Sequence, residues 1–108
     1  MTTYRTTPAE RVADDAVTLA LYADRMSDHD VERVELGPNF GTEYRIRVGS
    51  TVTARVLVGP YAVHVESLLA ISVEPGAARA AAWSASFAAA GNVPAAAIAD
   101  VIIAAATR

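Results

Sequence analysis

Three consecutive segments of alternating apolar and polar residues constrain the fold of this chain most strongly. They are Thr42–Val48, Val52–Val58 and Tyr61–Glu66, and each is separated from the next by a glycine-containing turn. Alternation with a period of two is typical of a strand that has one face on the core and the other in water. Short turns between such strands favour antiparallel pairing. The sequence therefore predicts an antiparallel β-meander.

The alternation also predicts how neighbouring strands are aligned. A two-residue turn at residues 59–60 pairs Val58 with Tyr61 and, further along, Arg55 with His64. This alignment keeps all the apolar side chains on one face, whereas a slip of one residue would move a whole strand's set to the other face.

The preceding turn is assigned by the same criterion. A two-residue loop would place the apolar Val48 opposite the polar Thr51 and mix the two faces. A three-residue loop at residues 49–51 pairs Ile46 with Ala54 instead and restores a uniform apolar face. We therefore expect the three-residue loop, with Arg47 opposite Thr53.

Helices are predicted on both sides of the meander. The segment Thr7-Pro8-Ala9-Glu10 has the pattern of a capping box, and apolar residues at helical spacing continue to about Ser27. Near the end of the chain, Pro94–Thr107 has a second apolar stripe at helical spacing, with Asn92 or Val93 as its cap. Val31–Leu36 and Leu68–Val73 are predicted as further strand segments.

These elements predict one α+β domain over residues 1–108, a length sufficient for one hydrophobic core. It comprises an N-terminal helix, an antiparallel meander of four to five strands and a C-terminal helix, with both helices on one face of the sheet.

The uncharged stretch AAAWSASFAAAGNVP, residues 80–94, is ambiguous from its pattern alone. Its alanines favour a helix over Ala77–Ala90, with Trp83 and Phe87 one turn apart. The alternation in W-S-A-S-F instead favours a strand with Trp83, Ala85 and Phe87 on the inner face.

The segment W-S-A-S-F, a short loop and V-P-A-A-A-I-A-D-V-I-I-A-A-A resembles an actinobacterial domain family of unknown function, common in streptomycetes and on their plasmids and phages. The resemblance covers residues 80–106, with Val93 and Ala96 standing where the family pattern has Thr and Glu. It implies a strand at Trp83–Phe87 leading into the final helix, and it implies no activity or site residues.

Composition excludes several classes of function. The chain has no Cys, which excludes disulfides and cysteine metal sites, and all nine of its basic residues are Arg. A net charge of −3 disfavours a protein that binds nucleic acid through its backbone. The first residues, MTTYRTTPAER, lack the apolar segment of a signal peptide, and polar residues interrupt the uncharged stretch 80–99, so we expect a cytoplasmic protein without a membrane span.

The apolar faces of both helices are wider than one sheet face requires. In the first helix the apolar arc reaches past Val17 to Leu21, and in the last helix Ile103 widens the stripe. Such an arc is either covered on two sides or in contact with another chain. We expect a homodimer that is joined through helix surfaces or a sheet edge, with these three residues at its interface.

The outer face of the meander is the strongest candidate binding site. The predicted alignment puts Arg45, Arg55 and His64 in one row across three strands, with Arg47 beside them. Like charges directly opposite one another are destabilising, so such a row suggests a site for phosphate or single-stranded nucleic acid. The competing interpretation, which we favour, is a solvated face whose arginines are neutralised by the glutamates Glu35, Glu43 and Glu66.

Other titratable residues have simpler explanations. His29, between Asp28 and Asp30, is explained by a polar connection from helix to strand, because adjacent residues seldom bind one metal ion. Asp14 and Asp15 point about 100° apart on a helix and are interpreted as surface charges. The nucleophile-elbow, phosphate-loop and dinucleotide motifs are absent, and no metal or cofactor is expected.

The leading functional prediction is a small non-enzymatic interaction protein, encoded by a mobile element, that associates with itself and with a protein partner. The alternative is a single-stranded nucleic-acid binder that uses the arginine-bearing face. A third hypothesis is an enzyme that holds its substrate between the first helix and the sheet.

Overall fold

The computed structural model describes residues 7–36, 41–69 and 83–107, which form one antiparallel sheet and two helices. The α+β fold predicted from the sequence is confirmed. The strands lie side by side in chain order, β1 to β5. The elements are α1 (Pro8–Leu21), β1 (His29–Glu35), β2 (Thr42–Val48), β3 (Thr51–Val58), β4 (Val63–Ser67), β5 (Trp83–Phe87) and α2 (Ala95–Ala106), with short 3-10 turns at Asp24–Met26 and Ala90–Asn92.

Helix α1 begins as predicted but ends earlier. The Thr7 hydroxyl accepts a hydrogen bond from the backbone N–H of Glu10 at 3.1 Å, and Pro8 is the first helical residue. The backbone becomes extended at Ala23, so the helix ends at Leu21 rather than near Ser27. The 3-10 turn that follows returns the chain to the sheet and buries Met26.

The predicted alignment of β3 with β4 is wrong by two residues. Val58 pairs with Val63, across a four-residue loop in which the Gly59 N–H donates to the Ala62 carbonyl at 2.9 Å. A shift of two residues keeps every side chain on its predicted face, so the apolar pattern could not detect it. As a result Arg55 lies opposite Glu66, and His64 does not lie opposite Arg55.

Between β2 and β3 the predicted pairing of Ile46 with Ala54 is confirmed, but the three-residue loop is wrong. The loop has two residues, Gly49 and Ser50, and the register shifts at an irregularity between Ile46 and Arg47. An extra residue in a bulge offsets the strands as much as an extra residue in the loop. Arg47 therefore lies opposite Val52, where Thr53 was predicted.

The strand interpretation of the uncharged stretch is confirmed for residues 83–87, which pair with β4 as the last strand of the sheet. Phe87 packs against the core, whereas the side chain of Trp83 lies outside the described residues. Residues 68 and 69 are not part of a strand, and the rest of the predicted segment Leu68–Val73 lies outside the described residues. The predicted start of α2 is wrong by one residue, because Pro94 is the cap of the helix, in place of Asn92 or Val93, and the helix begins at Ala95.

The core lies between the sheet and the two helices, which pack against each other and over β3, β4 and β5. Its largest fully buried apolar side chains are Met26, Ile46, Ile98, Ile102, Val56, Val63 and Val65.

Two strands hold the C-terminal end of α2, where carbonyl groups have no partner within the helix. From β4, the buried Ser67 hydroxyl donates to the Ala105 carbonyl at 2.7 Å. From β1, Nε2 of His29 lies 3.3 Å from the Ala106 carbonyl, so this ring nitrogen is the donor. His29 is thus the first residue of β1 and a hydrogen-bond donor to the end of α2. The prediction of a polar connection at this residue missed both roles.

Two glycines with positive φ allow a test of close packing at the sheet. Gly41 (φ 83°) and Gly49 (φ 61°) both have a backbone conformation that disfavours a side chain, but only at Gly41 would a Cβ collide with a backbone carbonyl, that of Val58. We expect Gly41→Ala to lower the melting temperature clearly more than Gly49→Ala, which has open space and loses about 1–2 kcal/mol from backbone strain alone. Equal losses in thermal unfolding would contradict the tight approach at Gly41.

Candidate functional site

The outer face of the sheet, opposite the helices, carries alternating charges across four strands. Arg45 lies directly opposite Arg55, as predicted from the sequence. Glu32 on β1 and Glu66 on β4 continue the same line of cross-strand partners at either end. The like-charged pair is therefore enclosed by acidic residues.

These groups form a continuous series of ion pairs, which we call the ion-pair row. The nitrogen–oxygen distances of these pairs lie between 2.7 and 4.0 Å, except in the Arg45–Glu43 pair, which is closer. In spatial order its members are Asp30, Arg47, Glu32, Arg45, Glu43, Arg55, Glu66 and His64. Each arginine of the row contacts two carboxylates.

Glu43 is the member of the row that separates the two opposed arginines. Its carboxylate contacts Nε of Arg45 through one oxygen and lies 4.0 Å from Arg55 through the other. The residue is only 6% exposed, so its charge is weakly screened by water. Glu43 raises the pKa of the Arg45 guanidinium above its usual value, first by hydrogen bonding and then by its charge.

The predicted anion site is thus occupied by the protein's own carboxylates. The row has four carboxylates, those of Asp30, Glu32, Glu43 and Glu66, against three arginines. Glu35, predicted to neutralise the row, lies opposite Thr42 and pairs with Arg33 instead. A polyanion would have to displace these contacts, so the face fits the self-neutralised interpretation better than a nucleic-acid surface.

His64 lies near the end of the row and makes a contact that sequence reasoning missed. It is directly opposite Ser86 of β5, and its Nδ1 lies 2.6 Å from the Ser86 hydroxyl. Its Nε2 lies 3.4 Å from Glu66. The alternation of Ser84 and Ser86 indicates only a polar face, and no short loop between β4 and β5 fixes their alignment.

A second candidate site lies where the third hypothesis placed it, between α1 and the sheet. A groove of about 470 Å³ opens there, lined by Glu10, Arg11, Asp14, Asp15, Arg33 and Tyr44. This part of the interface is therefore not closely packed. Both aspartates border the groove, although their directions on the helix diverge.

Tyr44 forms the floor of the groove. Its hydroxyl donates to Asp14 at 3.0 Å, and it also interacts with the Arg33 guanidinium. Burial is the main cause that raises the pKa of Tyr44 above its usual value, and the Asp14 carboxylate raises it further, whereas Arg33 lowers it. The hydrogen bond to Tyr44 in turn raises the pKa of Arg33.

The three residues predicted at a dimer interface face the interior to different degrees. Val17 is 3% exposed, because α2, the second 3-10 turn and β3 all pack against α1. Leu21 and Ile103 are partly buried and pack against the same core. Val17 is therefore used within the chain and cannot reach a second copy unless the core opens, whereas Leu21 and Ile103 keep part of their surface exposed.

Comparison of the chain with protein-family models, curated proteins and solved structures found no match in any of the three. The resemblance of residues 80–106 to an actinobacterial family thus stays a prediction. Neither helix of the described residues is long and apolar enough to cross a membrane. Within residues 7–36, 41–69 and 83–107, no three His, Asp or Glu side chains are grouped as metal ligands.

The ion-pair row predicts that Glu43 stabilises the sheet. We expect Glu43→Gln to lower the free energy of unfolding by about 1–2 kcal/mol, because the two opposed arginines lose the charge between them. The matched control is Glu35→Gln, which removes an exposed pair with Arg33 and should cost less than about 0.5 kcal/mol. Urea unfolding of both variants measures the difference, and equal losses would show that Glu43 has no special role.

The groove predicts a pH effect at Tyr44. Because its pKa is raised in the folded protein, its stabilising contribution is complete below the usual tyrosine pKa of about 10 and is lost as the pH rises through the folded value. Asp14→Asn should lower the pKa of Tyr44, as measured by NMR titration of the labelled ring. Asp15→Asn borders the same groove without a hydrogen bond to Tyr44 and should have a smaller effect; a reversed order would refute the assigned contact.

Proposed function

We propose that the protein is an interaction protein that functions as a homodimer, joined through the exposed side of α1. The observation that supports this proposal is a self-complementary line of side chains opposite the buried side of the helix, the α1 stripe. Its members, all exposed, are Arg11, Asp15, Thr18 and Tyr22. Tyr22 is 83% exposed, and Leu19, at 47%, lies beside it. Large apolar side chains exposed in this way are enriched at contacts between proteins.

The spacing of the α1 stripe suits an antiparallel pairing with a second copy. Arg11 and Tyr22 are three helical turns apart, about 16 Å along the axis, and lie on the same side. A two-fold axis across the middle of α1 therefore places Arg11 against the partner's Tyr22, and the reciprocal contact forms at the other end. An arginine over a tyrosine ring is a favourable cation–π pair.

This surface differs from the one predicted by sequence. The apolar arc of α1 is used within the chain, so the contact is transferred to the polar and aromatic side of the same helix. Composition supports a cytoplasmic location, and the resemblance of residues 80–106 supports an origin on a mobile element; the proposal also includes a further protein partner. Because the arginines of the ion-pair row are already paired with carboxylates of the same chain, the row supports association with proteins rather than binding of nucleic acid.

Light scattering at micromolar concentration tests the dimer. We expect the mass of two chains for the native protein and of one chain for Tyr22→Ala, because both aromatic contacts are lost. The matched control is Tyr61→Ala, which removes an equally exposed tyrosine from the loop between β3 and β4 and should leave the dimer intact. A single-chain mass for the native protein, or a Tyr22→Ala variant that stays dimeric, would refute the proposal.

A further inference from the structure

A serine, a histidine and a glutamate form a connected series on the outer face, at the β4–β5 side of the sheet. The Ser86 hydroxyl lies 2.6 Å from Nδ1 of His64, and Nε2 of the same ring lies 3.4 Å from Oε1 of Glu66. The other oxygen of Glu66 accepts a hydrogen bond from Arg55 at 2.7 Å. The carboxylate is therefore held from the side opposite His64.

The backbone fixes this geometry. Ser86 and His64 are direct cross-strand partners, and so are Glu66 and Arg55. Because His64 and Glu66 are two residues apart on one strand, their side chains share the outer face. The arrangement therefore depends on strand pairing, and no loop has to fold to assemble it.

The contacts also favour one protonation pattern of the ring. A carboxylate beside Nε2 favours the proton on that nitrogen, which leaves the Nδ1 lone pair free to accept the Ser86 hydroxyl proton. A hydroxyl hydrogen-bonded to a base that is itself oriented by a third group is the general arrangement of an activated nucleophile. Ser86 is exposed and lies on the last strand of the sheet order, so a reagent can approach it.

We propose that Ser86 is a nucleophilic serine that accepts an acyl group from activated esters. The Ser86 oxygen forms a bond to the ester carbonyl carbon, the bond from that carbon to the aryloxide breaks, and the aryloxide leaves with the electron pair. The hydroxyl proton passes to Nδ1 of His64. Glu66 is a positioning residue that holds the ring. This reactivity goes beyond the proposed dimer and is independent of it, because it requires one chain and no turnover.

The composition makes the acylation easy to measure. The chain has no Lys and no Cys, so few other side chains compete for an acyl group. We expect para-nitrophenyl acetate to release nitrophenolate in a stoichiometric burst, with the acetyl group found on Ser86 by peptide mass spectrometry. Ser86→Ala should abolish the burst, and His64→Gln should slow it about 100-fold.

The matched control is Ser84→Ala. Ser84 lies on the same strand and the same face but opposite Glu66 rather than His64, so the burst should be unchanged. A burst that persists in Ser86→Ala, or acetylation of Ser84 as fast as of Ser86, would overturn the proposal.

A pair of thiol variants tests the same point without relying on acylation. Ser86→Cys and Ser84→Cys each introduce the single thiol of the chain on the same face of one strand. A neighbouring base promotes thiolate formation, so iodoacetamide should alkylate the Ser86→Cys variant about tenfold faster. Equal alkylation rates in two folded variants would overturn the activating role of His64.

The positioning role of Glu66 has a spectroscopic readout. In the native protein the ¹⁵N spectrum of the imidazole should show the His64 proton on Nε2. In Glu66→Leu the populations should shift towards the other tautomer, and the burst should slow with them. An unchanged tautomer in that variant would refute this role.

Discussion

The sheet depends on one carboxylate, that of Glu43, in the middle of its outer face. Two arginines on neighbouring strands lie directly opposite each other, an arrangement that is unfavourable without an intervening negative charge. Glu43 contacts both of them and is nearly excluded from water, so it stabilises the pairing of β2 with β3 at the point of greatest repulsion. The rest of the ion-pair row extends this compensation to β1 and β4.

The two faces of the sheet are consequently different in character. The inner face is covered by the helices and holds the aliphatic core, whereas the outer face has alternating charges that are paired with one another. Because its arginines are already paired with carboxylates of the same chain, the outer face favours interactions through other surfaces, and the exposed side of α1 is the surface that we propose for a second copy. Ser86, on the last strand, contacts the row through His64 but takes no part in its ion pairs.

Much of the fold could be predicted from the sequence because period-two alternation identifies strands and their faces. The same signal is insensitive to a shift of two residues, which is why Tyr61 was placed opposite Val58 in place of Val63. Ile46 was correctly paired with Ala54 because a bulged residue and a longer loop give the same offset.

The contact of His64 with Ser86 could not be predicted, since residues 68–82 separate the two strands and no turn rule applies over that length. The sequence likewise left open whether the wide apolar arc of α1 meets other elements of the same chain or a second chain, because a sequence pattern does not distinguish a neighbouring helix from a neighbouring molecule. In the structure, Val17 of this arc is buried within the chain.

The end of α2 joins parts of the sheet that are far apart in its strand order. Ser67 from β4 and His29 from the edge strand β1 hold successive carbonyls of one helical turn. An edge strand usually frays independently of the elements around it. Here the separation of β1 from the sheet also removes a partner from the helix end, so we expect the amides of β1, β4 and the last turn of α2 to exchange as one cooperative unit.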